Sequence, residues 1–210
     1  MKNLQKSLLT PMLLFALASI MTGLYTGLYD SSFNNFLDFG YQISEVTRGA
    51  LEFPREFPGF LIVFVITALL FMTDSRIASL SALLIAASFL GQSFLAPGVG
   101  TLVIWMVLWS IGTHLYMCIA PCISLRLASE GKEGSLLGKL ASLESLGSLL
   151  GMLIVFVGAA HFHFSFQVLF TIACVCALLA AAALFLIKPE PVRRQRQLIL
   201  KKEIHRVLHP

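Results

Sequence analysis

Residues 166–187 read FQVLFTIACVCALLAAAALFLI, a run with no charged side chain, in which Gln167 and Thr171 are the only conspicuous polar groups. A helix needs roughly 20 apolar residues to cross the hydrocarbon core of a bilayer, and this stretch is long enough. The rest of the chain has the same character: 57% of the 210 residues are hydrophobic and 12% are charged, and the mean hydropathy is +0.84. An ordinary soluble domain is about a quarter charged. The composition excludes such a domain, and with it a disordered tail, a coiled coil, a disulfide-rich toxin and a nucleic-acid binder. An all-α polytopic membrane protein fits.

Working outward from that run, apolar segments fall at about 8–33, 50–73, 77–96, 101–125, 137–159 and 164–187, predicting six transmembrane helices within a domain of residues 1–187. Short gaps such as Met72–Arg76 and Pro97–Gly100 impose antiparallel neighbours. Lys2, Lys6 and Ala16-Leu-Ala18 have a signal-peptide look, but the apolar run continues through Tyr29 and favours a retained first helix. With the N-terminus inside, thirteen of the 15 Lys and Arg residues fall on the cytoplasmic side, and only Arg48 and Arg55 fall opposite. That asymmetry predicts a multi-pass protein of the cell (inner) membrane with both termini cytoplasmic. Residues 188–210 carry seven basic and two acidic residues, leaving the rest of the chain at −1. They predict a basic amphipathic tail along an anionic bilayer surface, or a solvated end that only sets topology.

Segments three and six read as lipid-facing helices, whereas segments one, two, four and five carry polar groups at membrane depth, where such groups usually face a cavity. Segment two opens with Arg48-Gly-Ala-Leu-Glu52-Phe-Pro54-Arg55-Glu56-Phe-Pro58-Gly59. Helical spacing puts Arg48, Glu52, Arg55 and Glu56 along one stripe, where they can pair. Pro54 and Pro58 can bend the helix. Two readings stand: a gate or a substrate- and proton-binding site at the outer mouth of a cavity, or a structural ion-pair network. Asp30, followed by Asn34 and Asn35, either joins this cluster or ends segment one in a loop.

Glu144 is the only charge after Lys139 in segment five. It reads as a proton carrier or as a brace to Arg126 or Lys139. Gly147 and Gly151 form a G-x-x-x-G pair that lets helices approach closely. In segment four, Trp105 and Trp109 suit an interfacial belt, and His114 can titrate or bind substrate. Cys118, Cys122, Cys174 and Cys176 lie in apolar stretches and read as packing residues. His161 and His163 lack a third ligand, so no metal is expected. The sequence has no catalytic signature, which predicts a non-enzyme without cofactors.

The layout of these segments resembles the N-terminal six-helix half of a major facilitator superfamily transporter, and the Arg48–Gly59 run is similar to one from a bacterial subgroup of that superfamily. The resemblance implies a 3+3 inverted repeat and alternating access around a central cavity shared with a second half. It also implies a cytoplasmic-loop motif, of which Asp74 matches and Arg76 is displaced by one position. Leu70, Ser75, Ile77, Ala78 and Ser79 replace that motif's remaining glycines and basic residues, and segment five lacks the antiporter G-P pair. The implied function is secondary-active, proton-coupled transport of a small molecule or ion. Glu52, Arg55, Glu56, Glu144, Asp30 and His114 are the candidate residues. The expected partners are the lipid bilayer and a second six-helix half, either a homodimeric copy or a separate chain. The alternatives are a ligand-binding six-helix subunit of an energy-coupling transporter and a non-transporting scaffold.

Overall fold

A computed structural model describes residues 2–129 and 131–188, with side chains from residue 10 onward. The tail expected at residues 188–210 lies, apart from Lys188, outside the described residues. All regular structure among the described residues is helical: α1 (Lys2–Tyr41), α2 (Glu45–Ala68), α3 (Asp74–Phe94), α4 (Val99–Leu127), α5 (Glu133–Val157) and α6 (Phe166–Leu186). A single π-helical turn, Gly158–Phe162, follows α5. Every helix but α2 is long and apolar enough to cross a membrane, as befits a membrane-embedded protein. α2 falls short because Glu52, Arg55 and Glu56 crowd its first half.

Successive helices run antiparallel. At one end of the bundle, Asp74 in the first turn of α3 meets Arg126 in the last turn of α4. At the same end, Ser79 Oγ donates to the Ala181 carbonyl on α6 at 2.8 Å. At the other end, Tyr41 donates to the Ala96 carbonyl beyond α3, at 2.6 Å.

Helix α1 runs past the expected end of segment one, through Asp30, Asn34 and Asn35, to Tyr41. Ser31 and Ser32 do not break it, because their hydroxyls bond back to carbonyls one turn earlier. The extension persists because Phe33, Phe36 and Leu37 bury one face of it. Phe36 packs edge-on against Phe170 at 4.9 Å, and Tyr29 lies 5.4 Å from Phe89. Between apolar helices in lipid, packing of this kind does the work that burial does in water.

Helices α3 and α6, expected to be peripheral, are the most buried of the membrane-length helices within this chain. Their buried sides are rich in small residues, Ser75, Ala78, Ser79 and Ala82 on α3 and Ala177, Ala180 and Ala181 on α6, and the two helices pack on each other. Small residues let the two backbones close up, and α3 then packs on α4 while α6 packs on α1. The opposite side of each helix remains exposed, with Leu90 on α3 and Leu179 on α6. Helix α5 lies on α1, and α2 lies on α4. Both keep long exposed apolar faces, including Phe60 and Phe64 on α2 and Leu149 and Leu153 on α5.

Candidate functional site

Helix α2 approaches α4 through Gly59, where a Cβ atom would meet His114 Nε2 at 2.7 Å. Pro54 and Pro58 sit inside a continuous helix. One turn before Gly59 is Arg55, the hub of the charged stripe. Its Nη1 donates to both Glu52 oxygens, at 3.1 and 3.2 Å. Its Nε lies 3.9 Å from Glu56 Oε1. Its guanidinium carbon stands 5.1 Å from the Trp109 ring centre and 5.9 Å from that of Phe33. The arginine side chain is 21% exposed, against 47% for Glu52 and 55% for Glu56. The cation is therefore backed by aromatic faces, while the carboxylates stand forward on an open side of the bundle.

Glu56 Oε2 lies 3.5 Å from His114 Nε2. The other ring nitrogen, Nδ1, lies 2.9 Å from the Ser110 carbonyl and 3.1 Å from its hydroxyl. When Nδ1–H donates to the carbonyl, Nε2 and the carboxylate face each other as two acceptors, and a proton between them makes the contact favourable. When Nδ1 instead accepts from the Ser110 hydroxyl, Nε2–H donates to the carboxylate. His114 is at the middle of α4, about 20 Å from either end at the helical rise. The charged stripe therefore reaches the centre of the bundle and does not stop at the outer mouth.

Arg48 does not pair with Glu52 as helical spacing suggested. It turns to Asp38, 3.8 Å away, because the extension of α1 carries Asp38 alongside the start of α2. Asp30 lies in mid-helix on an exposed face; it feels the charge of Arg55 but makes no ion pair among the described residues. Trp109 is 6% exposed and lies 4.7 Å from Tyr29, in the core and not in a belt.

A second polar feature lies between α1, α4 and α5, displaced from His114 towards the end that carries Asp74 and Arg126. It is a cleft of about 260 Å³ that contains Glu144 as its one charged residue, with Ser19, Tyr116, Pro121 and Ser124 among its walls. The Glu144 carboxylate forms neither an ion pair nor a hydrogen bond with another described residue. The braces considered for it go elsewhere: Arg126 pairs with Asp74, and Lys139 is exposed. Arg76, expected to serve a loop motif with Asp74, instead stands over the Phe185 ring at 3.5 Å.

Glu144 is held at the α1–α5 crossing, where the backbones touch. A Cβ on Gly23 or Gly27 would collide with the backbone of Glu144 or Ser148, and one on Gly147 or Gly151 with the Ile20 or Leu24 carbonyl. Gly23-Leu-Tyr-Thr-Gly27 is a second G-x-x-x-G pair, legible in the sequence but overlooked beside its partner in α5. Asp38 and the backing role of Trp109 left no local signal, because both depend on where α1 ends. No protein-family model matches the chain, and no curated protein is similar to it.

Proposed function

We propose that the chain is one six-helix half of a membrane transporter, carrying a small solute by proton-coupled alternating access against a second six-helix half. The observation that carries this reading is the position of Glu52 and Glu56. Both are about half exposed, and Glu56 lies level with the middle of α4. Charges at the centre of a membrane helix cost several kcal/mol or more against lipid. A water-filled cavity roofed by a second half removes that cost. In this reading Glu56 and His114 hold the coupling proton, and Arg55 fixes both carboxylates.

The packing pattern supports the finer reading of a 3+3 inverted repeat. α1 packs on α5 and α6, α4 packs on α2 and α3, and α3 packs on α6. Exchanging the first three helices with the last three carries α1–α5 onto α4–α2 and α1–α6 onto α4–α3 and returns α3–α6 to itself, although α4–α5 has no such counterpart. Repeats of three helices, an odd number, enter the membrane from opposite sides, which is what inversion requires. The open faces of α2 and α5 then form the seam with the second half.

Native mass spectrometry of the chain released gently from its membrane tests the pairing. A dimer, or a complex with a second six-helix protein, is expected. A stable monomer retaining a small ligand would overturn the reading in favour of a binding subunit. Single cysteines at Phe57 and Phe64 on the exposed face of α2 should cross-link to the partner, whereas one at Leu179 on α6 should not.

A further inference from the structure

The walls of the Glu144 cleft bear on the kind of solute it takes. They contain neither Lys nor Arg. Two of the hydroxyls have already committed their protons: Ser19 Oγ donates to the Phe15 carbonyl at 3.0 Å, and Ser124 Oγ donates to the Ala120 carbonyl at 2.9 Å. What remains to both is acceptor capacity. Pro121 has no N–H, so the carbonyl of Met117, another wall residue, lacks its partner one turn on. Glu144 adds a carboxylate without a counter-charge. Tyr116 is 6% exposed, and its hydroxyl lies beside Thr22 and Ser19. Phe15, Met117, Leu137 and Leu140 complete an apolar surround. The cleft is therefore rich in acceptors, negatively charged and greasy, and its volume suits a solute below ordinary drug size.

We propose that this cleft binds a small organic ammonium ion with an apolar body, Glu144 serving as its counter-ion and the Met117 carbonyl and the serine oxygens accepting its N–H groups. A neutral or anionic solute of the same shape leaves Glu144 unpaired beside apolar walls, so charge is the feature selected. The proposal rests on the transporter reading for its purpose, since it names the solute class, but the binding itself is measurable without transport.

The test is equilibrium binding of phenethylammonium to the full chain in phosphatidylcholine nanodiscs, which have no anionic lipid to compete. Saturable binding is expected, with affinity for phenethyl alcohol lower by about tenfold or more, because the alcohol keeps the shape and a donor but lacks the charge. Glu144→Gln should weaken binding of the ammonium to the level of the alcohol. Glu144→Asp should restore part of it, and Glu133→Gln, on the same helix outside the cleft, should leave it unchanged. Equal affinity for alcohol and ammonium on the unaltered chain overturns the proposal, even if the Gln variant fails to fold. So does binding that survives Glu144→Gln. A chain that pairs with a second half and moves solute but does not hold phenethylammonium refutes this assignment alone. Binding through Glu144 by a chain that neither pairs nor transports supports this assignment and overturns the transporter reading.

Discussion

Arg55 serves two carboxylates and two aromatic faces with one side chain, so its replacement exposes the logic of the charged stripe. Arg55→Gln leaves Glu52 and Glu56 repelling each other one turn apart. The fold should lose about 1–2 kcal/mol, read from the thermal unfolding midpoint in detergent, and transport should fall below detection. Arg55→Lys keeps the charge but cannot donate from a planar fork while lying over Trp109. It should recover stability more than activity. Tyr29 offers a simpler case. Its hydroxyl donates to Gln92 Oε1 at 3.2 Å, and Gln92 is 2% exposed. Tyr29→Phe keeps every ring contact yet leaves a buried amide oxygen without that donor. A loss of about 1 kcal/mol is expected from the same unfolding measurement.

At the scale of helices, two contacts set the frame in which those side chains act. The α1–α5 crossing depends on four glycines, and no rotamer can relieve a Cβ that lands on backbone. Gly147→Leu should force the helices apart, cost about 3 kcal/mol or more and displace Glu144 from its cleft. Gly138→Ala, on the same helix where a Cβ meets nothing within 4 Å, should be neutral or slightly stabilising. The Asp74–Arg126 pair ties the start of α3 to the end of α4. Replacing each partner by Ala, singly and together, should give a coupling of about 1 kcal/mol, and the exchanged pair Asp74→Arg with Arg126→Asp should recover part of it. Lys139, exposed and unpaired among the described residues, should show no coupling to Glu144 in the same format.

For the molecule as a whole, an even number of antiparallel helices brings the start of α1 and the end of α6 to the same end of the bundle. If α2 crosses the membrane despite its charges, cysteines placed at Thr73 and Ser129 in a cysteine-free background should label from one side of sealed vesicles. Those at Gln42 and Pro97 should label from the other. Labelling of Thr73 and Gln42 from one side would mean that α2 lies along the surface, and the six-crossing topology would fail. From the Lys and Arg asymmetry, the Thr73 side is expected to label from the cytoplasmic face.

Membrane embedding, the number of helices and their approximate limits were legible in the sequence, because each depends on the local density of apolar side chains and on short gaps. The residues that carry charge into the bundle were legible too, since a charge within an apolar run stands out without any knowledge of its neighbours. Their partners were not. The i,i+3 pairing of Glu52 with Arg55 follows from one helix alone and is present. Arg48 with Asp38, Glu56 with His114 and Arg126 with Asp74 each join two helices and depend on where those helices end and how closely they cross. The same limit explains α3 and α6. Hydropathy reports that a face is apolar but not whether lipid or another helix covers it, because in a bilayer both are equally greasy. Only small residues meeting small residues across a crossing, as in Ala181 with Ser79 and Gly23 with Gly147, decide which helices close up. That match is a property of two surfaces brought together, and the tertiary structure alone determines it.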